Sequence, residues 1–406
     1  MWQLNTTWKT QINILWFGQV ILMAMLAMSL PYWPLYIAKL GQFSPQEIRF
    51  WSAAIYAAPF VTSIICAPLW GRLGDRHGYK PMVIRACLGL FITHTLILCF
   101  ASVYWIFLFR LLQGVLAGFI VTAQAWALAI SPDEQRGATI GKLQSATAIG
   151  TLAGPLMGGI IATVGGYQAI FSSSSIICAI VTIVFFCCLQ NTPKANKDIA
   201  VTEKKDRKKN TLFSRLQQQA LSILLIIIII QLARQIITPV FALFVTEQLH
   251  GNDISVGILY AAPGLMVFFT ASYWGKYFDK VISAGHQVYN SIATLLFISA
   301  VIQVLHAYAN TLISVCILRL LWGICLGALM PVLLRLLLDN NADEKGLFLG
   351  FGNSATKFGN LIGVLLGATV ELYFGYVNTF LMTAMLYLIA VGVILYLKPV
   401  KSIAEA

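Results

Sequence analysis

The chain is poor in charge, and poorest in acid. Only 10% of its 406 residues are charged and 15 are Asp or Glu, against about a quarter charged in a soluble globular domain. With 59% hydrophobic residues there is too little polar surface to clothe a water-soluble fold. Catalytic signatures are missing too. The sequence holds no HExxH, no GxSxG and no P-loop, so metalloproteolysis, serine hydrolysis and ATP hydrolysis have no carrier, and an enzyme is not expected. Gly350-Phe351-Gly352-Asn353-Ser354-Ala355 does fit the dinucleotide pattern GxGxxA, but it lies inside an apolar run and not at a strand-to-helix turn, so no nucleotide cofactor follows from it. The eight cysteines all fall in apolar runs, without CxxC spacing or a histidine at ligand distance. Neither a disulfide framework nor a metal site is expected.

Long apolar runs are what the chain has in abundance. A hydrocarbon core about 30 Å thick needs about 20 residues of helix. Such runs are expected at about 12–38, 46–70, 81–103, 105–130, 138–163, 168–189, 219–247, 254–276, 287–308, 310–338, 346–371 and 374–397. The first is too long, and too poor in small residues at its end, to be a cleavable leader. The one long polar stretch, about residues 191–218, divides the chain into halves at 1–190 and 219–406. The net charge of +12 is concentrated there, at Lys204, Lys205, Arg207, Lys208 and Lys209, and in the loop carrying Arg72, Arg76, Lys80 and Arg85. The opposite loops offer little beyond Lys39 and Arg49. By the positive-inside rule both termini and the basic stretch lie on the cytoplasmic side of the cell membrane, which requires an even number of spans. The basic stretch is then a topology signal and solvated linker, and no nucleic acid partner is expected.

The halves repeat one another. Tyr56-Ala57-Ala58-Pro59, followed by Trp70-Gly71 and Asp75, returns as Tyr260-Ala261-Ala262-Pro263, followed by Trp274-Gly275 and Asp279. Gly141, Gln144-Ser145-Ala146-Thr147, Gly150, Gly154 and Gly158 return as Gly350, Asn353-Ser354-Ala355-Thr356, Gly359, Gly363 and Gly367. Repetition at half-chain period in an apolar sequence is a mark of secondary transporters, whose solute site lies between the repeats.

Three stretches carry a family resemblance. Gly71, Asp75, Arg76, Gly78 and Lys80 match the loop between the second and third helices of the major facilitator superfamily. Arg110-Leu111-Leu112-Gln113-Gly114 resembles its fourth-helix motif, echoed by Arg319-Leu320-Leu321-Trp322-Gly323. Gly150, Gly154, Pro155, Gly158 and Gly159 resemble the fifth-helix motif of its drug:proton antiporter branch. The resemblance covers the whole chain. It implies an all-α membrane protein of twelve transmembrane helices in two pseudo-symmetric six-helix bundles, monomeric, working by alternating access. It assigns gating to the loop with Asp75, and more weakly to Asp279, whose loop loses the later Gly-basic part. It assigns helix packing to the glycines, with Pro155 permitting a bend, and it favours export driven by protons.

Which residues meet the solute is read from depth and charge. No carboxylate lies mid-span in spans 1, 4, 5 or 7. The groups at depth are basic: Arg110, Arg234, Arg319 and Lys357. Buried cations demand counter-charge, so an anionic or zwitterionic solute, such as a carboxylate metabolite or siderophore, completes such a cavity. Alternatively Arg110 and Arg319 are structural, while Arg234 and Lys357 snorkel or pair with Glu247 or Glu371. Lys357 stands where the first repeat has Ala148, so packing symmetry does not demand it. Gln19, Gln124, Gln231 and Trp322 are candidate contacts because the resemblance places spans 1, 4, 7 and 10 around the cavity. Asn353 and Asn360 join them from span 11. Asp75, Glu47 and His94 are the candidates for carrying a proton. An importer of an organic anion, or a membrane sensor that transports nothing, are the rival readings.

Overall fold

Spans 1 and 7 are both interrupted at a proline, and the interruption explains the first repeated motif. In the computed structural model, which describes residues 7–132, 135–190, 212–283, 288–339 and 345–396, the first span is α1 (Trp8–Ser29), a 3-10 turn at Leu30–Tyr32 and α2 (Trp33–Leu40). The seventh is α8 (Leu212–Ile236), a turn over 237–240, α9 (Phe241–Leu243) and a π-helical turn at Phe244–Gln248. Pro31 and Pro239 sit in the two breaks; a proline supplies no N–H and frees a carbonyl one turn back. Nearby carbonyls find a side-chain donor. Tyr56 Oη donates to the Leu30 carbonyl, and Tyr260 Oη donates to the Thr238 carbonyl at 2.5 Å. The tyrosine of each Tyr-Ala-Ala-Pro therefore braces the broken span of its own half. Replacing Tyr260 with phenylalanine leaves that carbonyl without its donor and is expected to cost about 1–3 kcal/mol, read as a lowered thermal midpoint of the purified protein.

The remaining elements are α3 (Pro45–His77), α4 (Tyr79–Cys99), α5 (Val103–Leu116), α6 (Phe119–Ile130), α7 (Arg136–Cys188), α10 (Asp253–Ser283), α11 (Val288–Ala307), α12 (Leu312–Asp339) and α13 (Lys345–Tyr396). Ten helical segments among the described residues are long and apolar enough to cross a membrane. Two of these, Thr139–Cys188 and Gly350–Tyr396, run to 50 and 47 residues, about twice the length a bilayer needs. Each carries a non-helical glycine at the same place in the repeat, Gly166 (φ 74°, ψ 178°) and Gly375 (φ 76°, ψ 177°), a conformation open to glycine and costly for other residues. Each segment thus supplies two spans, and the total is twelve.

The span expected at about 105–130 is found at Val103–Ile130. It is not one continuous helix, because Ala117 is extended and Gly118 has φ 125°, separating α5 from α6. The interruption is stitched by its neighbours: Trp70 Nε1 donates to the Val115 carbonyl at 2.6 Å and Arg85 Nη2 to the Ala117 carbonyl at 3.1 Å, with the Arg85 guanidinium 3.5 Å from the centre of the Trp70 ring. Hydropathy cannot register such a break, because both halves are equally apolar.

The chain divides into two compact units, Met1–Phe43 with Ala54–Arg207, and Ser44–Ala53 with Lys208–Ala406. Within each, the glycine stripe fixes one helix pair. A Cβ on Gly150, Gly154 or Gly158 would stand 2.4–2.5 Å from the carbonyl oxygens of Val20, Ala24 or Met28 on α1. On Gly359, Gly363 or Gly367 it would stand 1.7–2.6 Å from those of Ile228, Leu232 or Ile236 on α8. The backbones touch where side chains would forbid it, the device by which apolar helices associate in lipid. Pro155 adds its carbonyl, which accepts from Tyr32 Oη at 3.1 Å, and Gly159 is buried beside it.

Candidate functional site

The intramembrane arginines fall into two kinds. Arg110 is 6% exposed; its Nε donates to the Ile55 carbonyl at 3.1 Å, Nη1 donates to Gln113 Oε1, and its guanidinium lies 5.3 Å from the Trp33 ring. Arg319 repeats the arrangement: Nε donates to the Leu259 carbonyl at 2.9 Å and the guanidinium lies 4.0 Å from the Phe241 ring. Both carbonyls belong to the residue just before the Tyr-Ala-Ala-Pro tyrosine, and the glycine four positions on, Gly114 or Gly323, packs against the backbone of that motif's proline. Each arginine thus ties its helix, α5 or α12, to the neighbouring α3 or α10. Charged hydrogen bonds to carbonyls offset the cost of placing guanidinium in a span, about 2.5 kcal/mol or more.

Arg234 is different. It is exposed despite its position in the last turn of α8, and no described residue forms an ion pair or hydrogen bond with its side chain. Its electrostatic neighbours are the Tyr387 hydroxyl and the Arg319 guanidinium. Tyr387 in turn accepts a hydrogen bond from Trp322 Nε1 at 3.0 Å. Two guanidiniums, a phenol and an indole are thereby grouped within the second unit, and among the described residues no carboxylate pairs with either arginine. Tyr387 was missed from sequence, because one tyrosine in an apolar span carries no pattern. Lys357, on α13, is half-buried and likewise has no ion-pair partner among the described residues. Counting along α13 from Gly359 and Gly363, which meet Ile228 and Leu232, Lys357 lies lower on the helix pair than Arg234 by about 12 Å at 1.5 Å per residue.

The neutral candidates vary. Gln231 is buried with Nε2 3.4 Å from Met330 Sδ. Asn360 is half-buried and its Oδ1 lacks a partner, while Asn353 is exposed. In the first unit Gln19 is fully buried; its Nε2 donates to the Leu143 carbonyl at 2.8 Å and to Thr147 Oγ1 at 2.7 Å. That links α1 to α7 beside the glycine stripe. Gln124 is half-buried with Nε2 unsatisfied.

Among the gating candidates, Gly71, Asp75 and Arg76 are helical positions whose side chains lie outside the described residues. Gly78 takes φ 91° as α4 begins. Lys80 Nζ donates to the Phe186 carbonyl at 2.9 Å and also to the Leu189 carbonyl, closing the C-terminal end of α7, where a cation is favoured. Asp279 pairs with Arg335 of α12. Of the proton candidates, Glu47 forms a capping box with Ser44, its Oε2 accepting from Ser44 N at 2.8 Å. His94 is buried with Nδ1 2.8 Å from the Leu90 carbonyl.

Glu371 and Glu247 do not neutralise Arg234 or Lys357. Glu371 is 3% exposed and takes the Arg49 guanidinium; Glu247 accepts from Tyr376 Oη at 2.7 Å and lies 3.8 Å from Arg49 Nη2. This ion pair was legible in part: Glu371 stands where the first repeat has Ala162, the same departure from symmetry that singles out Lys357.

Comparison with known proteins agrees with this architecture. The family model of the Major Facilitator Superfamily matches residues 15–230 and 223–405. The chain is 32% identical over 393 residues to the multidrug resistance protein MdtG of Rahnella sp. strain Y9602, covering 95% of this chain and 92% of that one. It is 30% identical over 391 residues to the staphyloferrin B transporter of Staphylococcus aureus, with coverage of 95% and 92%. The crystal structure of the human organic anion transporter MFSD10 shares the fold, with a TM-score of 0.67 at 16% identity, covering 96% of this chain and 100% of that one. Twelve spans in two repeated halves, the signature loop and the family match together place the chain in the Major Facilitator Superfamily, as a multi-pass membrane transport protein and not an enzyme.

Proposed function

We propose that the protein exports a small amphipathic anion across the cell membrane in exchange for protons, by alternating access, and that Arg234 and Lys357 hold the anion. One observation carries this reading: Arg234 is exposed within the protein's span, beside the guanidinium of Arg319, with no carboxylate among the described residues to neutralise it. Unpaired cations at that depth are stabilised when a carboxylate-bearing solute arrives. Trp322, 3% exposed and hydrogen-bonded to the fully buried Tyr387, is assigned to packing behind Arg234 and not to solute contact. Relatives named for multidrug resistance and for staphyloferrin B transport support outward movement of compounds of this kind, a siderophore or other carboxylate among them. Arg110 and Arg319 we assign chiefly to bracing, with Gln124, Gln231, Asn353 and Asn360 as neutral contacts and Gln19 as a helix tie. A monomer with both termini in the cytoplasm, and functional halves at 1–190 and 219–406, completes the proposal.

The test is transport in everted membrane vesicles under an imposed pH gradient, with carboxyfluorescein as the anionic probe and ethidium as the cationic one. Uptake of carboxyfluorescein, abolished by a protonophore, is expected. Uptake of ethidium alone refutes the anion site, and movement of carboxyfluorescein out of everted vesicles identifies an importer.

A further inference from the structure

The helix pair α8 and α13 departs from its counterpart, α1 and α7, along one flank. Gly359 and Gly363 meet Ile228 and Leu232 as Gly150 and Gly154 meet Val20 and Ala24, so the two pairs correspond residue by residue. Arg234, Lys357 and Asn360 then stand where the first half has Leu26, Ala148 and Thr151. Thr151 turns its hydroxyl back to the Thr147 carbonyl of its own helix at 2.7 Å. The second half alone therefore carries cations and a free amide on this seam. Packing does not demand them, because the glycine contacts are the same in both halves.

The geometry of the pair sets their spacing. Contacts advance together along the two helices, so α8 and α13 run parallel. At 3.6 residues per turn, Lys357 and Asn360 follow the glycine face of α13 on one flank, and Arg234 lies on the flank of α8 that opens to the same side. At 1.5 Å per residue, Asn360 lies about 4.5 Å and Arg234 about 12 Å along the pair from Lys357. Side chains on both helices lean toward the N-terminal end, which is the same end for each, so the offset carries over to the charged heads. Neither head has an ion-pair partner among the described residues. A carboxylate bonds a cation at about 2.7–2.9 Å, too close for one such group to serve both. We propose that the solute is a two-headed anion: an elongated molecule with a carboxylate at each end, about 12 Å apart, lying along α8 and α13 with one end on Lys357, the other on Arg234 and its middle beside Asn360. The inference rests on the reading that Arg234 and Lys357 hold the anion, and adds the number and spacing of its charges.

The test is isothermal titration of straight-chain carboxylates into the purified protein in lipid nanodiscs, with empty nanodiscs subtracted. An extended chain covers about 3.3–3.6 Å for every three bonds, so about ten bonds span the two cations, as in decanedioate. Its monomethyl ester keeps the length and loses one charge, while hexanedioate keeps both charges and is too short. Joining two binding ends helps only when the linker reaches both sites. Decanedioate is therefore expected to bind about tenfold or more tightly than either control. Lys357→Ala should bind decanedioate no better than the unmodified protein binds the ester, and Lys357→Arg, which restores the cation, should recover the preference. Equal affinity for decanedioate and its ester in the unmodified protein overturns the proposal, as does equal affinity for decanedioate and hexanedioate, or a Lys357→Ala protein that keeps the preference. If Lys357→Ala does not fold, the three ligands and the unmodified protein decide the matter alone. Diacid and ester bound alike, with carboxyfluorescein uptake intact, sinks this inference and leaves the anion site standing, whereas binding of no carboxylate at all removes both.

Discussion

Replacing Gly367 with valine is expected to abolish stable folding, whereas Gly350→Ala should be tolerated or slightly stabilising. Both glycines belong to the same repeated stripe, and their sequence contexts look equivalent. Their surroundings differ. A Cβ at 367 would lie 1.7 Å from the Ile236 carbonyl oxygen and 2.6 Å from its carbonyl carbon, but at 350 it meets nothing within 4 Å. Backbone atoms cannot swing aside as a side-chain tip can, so α8 and α13 must part, and Gly359 and Gly363 then lose their close approach to Ile228 and Leu232 as well. Overpacking one well-filled site already costs about 1–3 kcal/mol; parting a helix pair adds lost dispersion along several turns. At position 350 the change removes glycine's backbone freedom from a helix, worth up to about 1 kcal/mol in favour of alanine. Thermal unfolding in detergent measures both, and a Gly367→Val protein with an unshifted midpoint would falsify the contact.

The same contrast shows what the sequence could and could not convey. Hydropathy sums over about a helix crossing, so it locates the twelve runs without registering the Gly118 break within one of them. Internal repetition announces that Tyr56 and Tyr260, Arg110 and Arg319, Gly114 and Gly323 do the same work twice. What that work is depends on distances between residues some 50 positions apart, such as Arg110 to the Ile55 carbonyl, and no local pattern encodes them. Departures from the repeat proved more informative than the repeat itself. Lys357 for Ala148 was noticed on that ground; Glu371 for Ala162 obeys the same logic, and its partner Arg49 reads in sequence as an ordinary loop charge. Motif residues are mostly occupied holding helices together, as Lys80 does at the end of α7, whereas Arg234 and Lys357, which have no ion-pair partner among the described residues, belong to no motif.

That freedom makes Arg234 the position where substitution should alter transport most. In the proposed complex a solute carboxylate is desolvated against Arg234, and truncating one member of such a pair costs about 2–5 kcal/mol, a loss of about thirtyfold or more in affinity. Arg234→Ala and Lys357→Ala are each expected to reduce carboxyfluorescein uptake to background at probe concentrations near half-saturation, with yield and thermal midpoint unchanged, since neither side chain bonds to another described residue. Asn360→Ala removes one neutral contact, worth about 0.5–1.5 kcal/mol, and should lower uptake by about tenfold at most. Charge reversal distinguishes electrostatics from packing: Arg234→Glu sets a carboxylate beside Arg319 and should admit ethidium while excluding the anion, whereas Arg234→Lys keeps the charge without the planar fork and should retain part of the activity. The membrane potential gives a further handle. Negative inside, it drives an anion outward by about 2.3 kcal/mol per charge for each 100 mV, so an anion exporter needs no acidic group in its cavity to draw the solute through, and the scarcity of buried acid becomes intelligible. Carboxyfluorescein uptake into everted vesicles should therefore rise when the vesicle interior is made positive and fall when it is made negative. A response of the opposite sign would mean that the solute carries positive charge, and Arg234 would then have to be read as a barrier to it.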